Sequence, residues 1–216
     1  VPGRPLQPAL VPPRLVPRRS LATEAGRAAL VHAVAHIEFN AINIALDAAL
    51  RFPHMPARYY QDWLGVAKEE AQHFAMLRDH LQTRYGAQYG DFTAHDSLWE
   101  MAERTNDDVL ARMALVPRIL EARGLDVTPG IAQKLKQAGD NAAAEILAII
   151  LREEVGHVAI GNHWFAHCCA AAGTTTVEAF KTMRERYNAP EIKLPINVAA
   201  RRAAGFTEEE LEAITK

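Results

Sequence analysis

From Glu24 to Arg51 the chain carries the run AALVHAVAHIEFNAINIALDAAL, apolar nearly all round a helical projection rather than along one stripe. That pattern predicts a central, buried helix, with Thr23 as its N-cap. Pro53 ends it. Pro56 stands as the first residue of a second helix that reaches Arg84 and is closed by Gly86, and the short link makes the two antiparallel neighbours. The linker from Tyr85 to His95 contains Gly86 and Gly90. A dozen extended residues reach about 40 Å, close to the length of a 28-residue helix, so a crossover along a bundle is geometrically open. Asp96 is expected to cap a third helix from Ser97 to Arg123, with Gly124 as its stop. Thr128-Pro129 predicts a short helix ending near Gly139, and Asp140 or Asn141 opens a fourth long helix that runs to about Ala172 and stops at Gly173. Smaller helices are expected from Thr176 to Tyr187 and after Thr207, where TEEE reads as a capping box. No stretch alternates with strand period, so the fold class is all-α.

Proline use marks off the start of the chain. Six of the twelve prolines (Pro2, Pro5, Pro8, Pro12, Pro13 and Pro17) fall within the first 17 residues, which argues against helix and for an extended, polyproline-like arm over residues 1–22. That arm is expected to lie against the domain or a neighbouring subunit. Residues 23–173 then form the helical domain, with the short helix near 129–138 inserted, and residues 174–216 supply accessory helices packed on it. At 216 residues, 49% hydrophobic and 23% charged, the chain suits one soluble globular domain. A formal charge of −2 from 24 basic and 26 acidic side chains gives no cationic field for nucleic acid or an anionic membrane. No apolar run approaches the roughly 20 residues of a membrane span, and no signal-peptide pattern opens the chain, so a cytoplasmic location is expected. The chain opens on Val1 rather than Met, as it would if the numbering began inside a longer gene product. The two cysteines are adjacent, Cys168-Cys169; they provide neither a disulfide framework nor a CxxC metal knuckle and are read as small buried residues.

The chemistry lies in two ExxH motifs, Glu70-Ala-Gln-His73 on the second helix and Glu154-Val-Gly-His157 on the fourth. Residues three apart are separated by about 300° of rotation and less than a turn of rise, so each pair projects to one face and can hold a metal ion. A single ExxH on a helix is a weak signal, since surface helices place Glu and His three apart by chance. Here each motif has a lone carboxylate upstream, Glu38 lying 32 residues before Glu70 and Glu121 lying 33 before Glu154. That repeat is the plan of ferritin-like di-metal bundles, in which two helices each give a Glu and two each give an ExxH. Four carboxylates and two imidazoles are hard and borderline donors suited to first-row M²⁺ ions. Without metal, four carboxylates converging in an apolar core would have to protonate or separate.

Neighbouring residues are weighed by helical position. His36 lies about 200° round the helix from Glu38, and His163 about 180° from Glu154, so both are read as core or interface histidines. His80 shares a face with His73 about 10 Å along the axis; a helix-end polar residue is the plainer reading, a channel lining the sharper one. His80 and Arg118 complete the set expected beside the ligands or along a channel, with Glu69 and Glu153, next to ligands in sequence, either supporting them or facing outward. Ala35, Ala41, Ile42, Ala67, Leu77, Ala114, Ile150, Ile160 and Gly161 are small or apolar, as core packing requires and as an oxygen or substrate pocket would also use. Pro117, four residues before Glu121, should kink the third helix. Glu121 stands near the end of its expected helix while Glu154 is about 13 residues, some 20 Å, into the fourth, so the segment from Leu125 to Gly139 is expected to cap the overhang.

On HAVAHIEFNAINIALDAALRF, EEAQHFAMLRDHL, YGDFTAHDSLWEMAERT, ARMALVPRILEARGLDVTPG, REEVGHVAIGNHWF and AARRAAGFTEEEL, the chain resembles the DUF455 proteins of the ferritin-like superfamily. The resemblance implies a ferritin-like four-helix bundle with a di-iron-type site and no assigned substrate. More distantly the site is similar to those of tRNA hydroxylases, rubrerythrins, manganese catalases and quinone hydroxylases. Storage ferritins lack the second ExxH, rubrerythrins add a Cys-rich domain absent here, and no Tyr stands within a turn of a ligand as a stable-radical enzyme would need. The leading expectation is therefore an oxidoreductase with two Fe ions, or Mn or mixed Mn/Fe, that activates dioxygen to hydroxylate or oxidise an organic substrate, drawing on an electron donor. Peroxide or dioxygen detoxification and a non-catalytic structural metal site are the alternatives. The substrate is a small molecule, or tRNA if Arg4, Arg14, Arg18, Arg19, Arg201 and Arg202 converge into a basic rim. A homodimer is the expected assembly, with no membrane partner.

Overall fold

In a computed structural model of the chain, Thr23 caps as expected: its hydroxyl accepts a hydrogen bond from Gly26 N at 3.1 Å, and α1 spans Glu24–Arg51. Residues 3–215 are described; Val1 and Pro2 of the expected arm and Lys216 of the C-terminal segment lie outside the described residues. The second helix, α2, spans Ala57–Tyr85, with Pro56 as its cap rather than its first residue, and Gly86 at φ +63° closes it by donating to Gln82 O. α1 and α2 pack on one another. All named elements among the described residues are helical, and the sole pairing of extended backbone there is an isolated bridge between Leu10 and Ala94.

The expected third helix is where local rules fail. It is broken into α3 (Ser97–Arg104), α4 (Val109–Leu115) and a π-helical turn (Val116–Glu121) that leads directly into α5 (Ala122–Gln137). Asp108 restarts the chain by capping α4, its carboxylate accepting from Ala111 N at 2.9 Å. Pro117 has no N–H to give, and the expected kink takes the form of a widened turn. Neither Gly124 nor Thr128-Pro129 interrupts α5. A mid-helix Gly costs only about 1 kcal/mol against Ala. The carbonyl of Leu125, four residues before Pro129 and so deprived of a helical donor, accepts instead from Asn197 Nδ2 at 3.2 Å. Glu121 therefore sits within a long run of helix, and the segment expected to cap the bundle continues that run.

The fourth long helix, α6, spans Asn141–Ala172, with Asp140 accepting from Ala143 N at 3.0 Å and Gly173 at φ +67° just beyond it. The helix α7 (Thr176–Arg186) starts from a capping box on Thr175 and Glu178, and α8 (Val198–Ala203) was not foreseen. The Thr207 box that opens α9 (Glu208–Thr215) forms as read: Thr207 N donates to Glu210 Oε2 at 2.9 Å and Glu210 N to Thr207 Oγ1 at 3.2 Å.

The described part of the arm lies against its own chain. Val11 N donates to Ala94 O at 2.9 Å, Ala94 N to Ala9 O at 3.1 Å, and Arg4 reaches Asp96 at 2.7 Å and Asn40 Oδ1 at 3.1 Å. At the start of α3 the Asp96 carbonyl accepts Glu100 N at 2.9 Å, and its carboxylate accepts from Arg4. The arm is not free of helix, because Pro13–Leu15 make one 3-10 turn, for which a fixed proline φ is suited. The linker after α2 runs beside α1, Gly90 N donating to His32 Nε2 at 2.9 Å and the Tyr89 hydroxyl lying 2.8 Å from His36 Nδ1.

Among the described residues the chain divides into two compact units, Val1–Glu100 with Gly130–Ile150, and Met101–Pro129 with Leu151–Lys216. The core of the first gathers Ala28, Val31 and Ala35 of α1, Leu77 and Leu81 of α2, Leu135 of α5 and Ala143, Leu147 and Ile150 of α6. The second is built on Ala122, Leu125, Val158, Ala204, Phe206 and Leu211. α1 is long and apolar enough to cross a membrane by length and composition, at a mean hydropathy of 1.4, against the expectation that no such run exists. Half of that window is buried, and His32, His36, Glu38 and Asn40 are buried on the helix, which are the marks of a core helix.

Within the second unit, a Cβ built on Gly161 of α6 would stand 2.2 Å from Pro117 Cβ, whereas one on Gly156 meets nothing. Gly161→Ala is expected to destabilise the protein by roughly 2–3 kcal/mol through overpacking, while Gly156→Ala is neutral or stabilising by up to about 1 kcal/mol. Urea denaturation of the two variants checks this.

Candidate metal centre

In the first unit α1 and α2 bring three of the expected ligands together. Glu38 is on the buried side of α1, and Glu70 and His73, 1% and 0% exposed, share one face of α2. His73 Nδ1 lies 3.3 Å from Glu70 Oε2 and 3.4 Å from Glu38 Oε2. Each of the three offers a ligand atom, and these atoms lie within 4.8 Å of one another, close enough to share one ion. Glu38 Oε2 is buried and accepts no hydrogen bond. Burial, reinforced by the charge of Glu70 and only partly opposed by His73, pushes the Glu38 carboxyl up to about 8. That shift favours the neutral carboxyl over the bare carboxylate when no cation is bound.

In the second unit α6 carries the other pair. Glu154 and His157 are both buried, with His157 Nδ1 3.6 Å from Glu154 Oε1, and Glu154 Oε2 accepts no hydrogen bond. Glu121 is the last residue of the π-helical turn and half-buried.

The flanking residues divide. His36 is a core residue: its ring bonds Tyr89 and Asn40, and burial, chiefly, holds it down at about 4. His163 is neither core nor ligand; it is exposed, its ring 4.8 Å from that of Trp164. His80 is buried, Nε2 3.0 Å from Asp140 Oδ2, which also accepts from Tyr85 OH. His80 is thus tied to the residue that caps α6. Glu69 is exposed, and Glu153 is half-buried beside Arg152 at 3.1 Å. Arg118, 1% exposed, is held in a buried network: it donates to Asn162 Oδ1 at 2.5 Å and Glu210 Oε1 at 2.8 Å, and its guanidinium lies 4.5, 5.0 and 4.5 Å from the rings of Phe165, Phe180 and Phe206. Asn162 was missed, as were the roles of Glu210 as the partner of Arg118 and of Asp140, read as a helix start, as the partner of His80. Glu210 had a local signal, its capping box, but a partner 92 residues away leaves no trace in local pattern.

The proposed basic rim is depleted. Arg4 is committed to Asp96, Arg202 pairs with Glu208 at 2.5 Å, and Arg201 is fully buried against Asp126 at 2.7 Å. Arg14, Arg18 and Arg19 are exposed, Arg19 over the Phe92 ring at 5.1 Å.

Fold and site together define an all-helical protein with a buried Glu/His cluster able to hold a metal ion. Residues 1–212 match the family model described as "Protein of unknown function (DUF455)", and the chain belongs to that family. It is 51% identical over 217 residues to an uncharacterized protein of Haemophilus influenzae, the match covering 97% of this chain and 75% of that relative. No solved structure matches the chain.

The raised Glu38 carboxyl has a pH signature. A folded-state value above the unfolded one stabilises fully below about 4.5, and that stabilisation is lost as pH rises through about 8. EDTA-treated wild type should therefore lose roughly 2–4 kcal/mol between pH 5 and 8.5 from this group. Glu38→Gln, neutral throughout, should flatten that slope. Urea melts at three pH values in that range decide; parallel slopes would refute the assignment.

Proposed function

We propose that the chain is a ferritin-like four-helix bundle in which Glu38, Glu70 and His73 hold one metal ion and Glu121, Glu154 and His157 a second, and that it is an oxidoreductase using dioxygen to hydroxylate or oxidise an organic substrate. The observation that carries this reading is the pair of buried carboxylate oxygens, Glu38 Oε2 and Glu154 Oε2, that accept no hydrogen bond. An isolated buried carboxylate is costly, and a cation is the ligand that removes the cost. The repeated Glu and ExxH plan supports two such ions rather than one.

Two iron ions, when bound, supply electrons and open coordination positions to dioxygen. The chain's own residues set the conditions. Four carboxylates nearly balance two divalent cations. The ExxH spacing lets one helical turn hold a carboxylate and an imidazole toward the same ion. Buried Ala35, Ala41, Ala67 and Leu77 keep the α1 and α2 side apolar. Hydroxylation of an organic substrate by dioxygen, with the second oxygen leaving as water, takes two electrons beyond those of the substrate, so a separate donor is part of this reading. A small molecule is favoured over tRNA, because Arg4, Arg201 and Arg202 are already paired with acids.

Anaerobic loading with Fe²⁺ followed by mixing with aerated buffer tests the proposal. Two bound ions per chain and dioxygen uptake at least tenfold faster than free Fe²⁺ are expected, and both are lost in Glu38→Ala and Glu154→Ala. Tight binding without dioxygen uptake would leave only a structural metal, and wild-type uptake in both variants would remove the site from the reaction.

A further inference from the structure

We propose that the C-terminal segment, residues 197–215, is a clamp that holds the π-helical turn Val116–Glu121 in the one arrangement that presents Glu121 to metal, with Arg118 as the positioning residue; this rests on the reading of Glu121 as a ligand. A π-helical turn shifts its carbonyls out of the regular α register, here with Ala122 N bonding Ile119 O and Pro117 O, and donors from elsewhere can hold the others in place. Arg201 of α8 supplies them, NH1 donating to Arg118 O at 3.5 Å and NH2 to Ala122 O at 3.4 Å. Arg201 is in turn fixed by Asp126, which accepts at 2.7 and 3.0 Å, with both side chains wholly buried. Carbonyls on either side of Glu121 are thereby tied to one guanidinium.

A second tie runs through the side chain of Arg118, three residues before Glu121. Its charge is buried among Phe165, Phe180 and Phe206, and the acid facing it is Glu210 of α9. A buried cation deprived of its acid must move toward water, and here it would take the turn with it. Glu210 serves twice, since its other oxygen accepts Thr207 N and so forms the start of α9. Asn162 of α6 closes the network, accepting from Arg118 and donating to Ala204 O at 2.7 Å. The Pro117 ring against Gly161 leaves the turn no space to slide on that side. The segment's other bonds, from Asn197 and Arg201 to Leu125 and Asp126, hold the start of α5 immediately after the turn.

The test uses full-length, metal-free protein, wild type and Glu210→Gln, with amide hydrogen exchange and titration with Co²⁺. In the variant the amides of residues 118–121 should exchange at least tenfold faster while those of 31–41 in α1 are unchanged. The second Co²⁺ should bind at least tenfold more weakly and the first as before. Should Glu210→Gln not fold, Arg201→Lys, which keeps a charge for Asp126 but loses the forked carbonyl contacts, gives the same two readouts. Unchanged exchange in a folded variant overturns the clamp. Faster exchange with the second ion bound as in wild type overturns Glu121 as a ligand, and Glu121→Gln would then also bind two ions.

Discussion

A carboxylate can be buried only if something positive, or a proton, faces it, and the interior of this protein is arranged around that constraint. Glu210 faces Arg118, Asp126 faces Arg201, and Asp140 is bonded by His80 and Tyr85. Against that pattern Glu38 and Glu154 each keep a buried oxygen that accepts no hydrogen bond. Both belong to the Glu and ExxH plan. The chain satisfies its structural acids with its own donors and leaves incomplete the acids that a metal would complete.

Local pattern sufficed where local chemistry decides. Thr23 caps α1, and Gly86 and Gly173 close α2 and α6 with positive φ, because a hydroxyl acceptor and a left-handed residue act within a few positions of themselves. The ExxH spacing was equally legible, since three residues on a helix fix a shared face wherever the helix packs. The convergence of Glu38 with Glu70 and His73 depends on how α1 pairs with α2, and the short link between the two helices already pointed to it.

The third helix was misread because its ends are decided by distant residues. Pro129 would stop an isolated helix, yet Asn197 bonds the carbonyl it strands, 72 residues away. Pro117 would kink one, yet Gly161 accepts its ring and Arg201 bonds the carbonyls around it. Arg4 and Arg201 looked like rim charges, because nothing in their neighbourhoods names Asp96 or Asp126 as partners. In each case the deciding interaction joins residues far apart in sequence, and the turn that bears Glu121 collects several of them.

Anomalous diffraction from crystals grown with Fe²⁺, measured on both sides of the iron edge, tests the central claim most directly. Two peaks are expected, one coordinated by Glu38, Glu70 and His73 and the other by Glu121, Glu154 and His157. An ordered structure from iron-loaded protein with no peak at Glu38, Glu70 and His73 would contradict it.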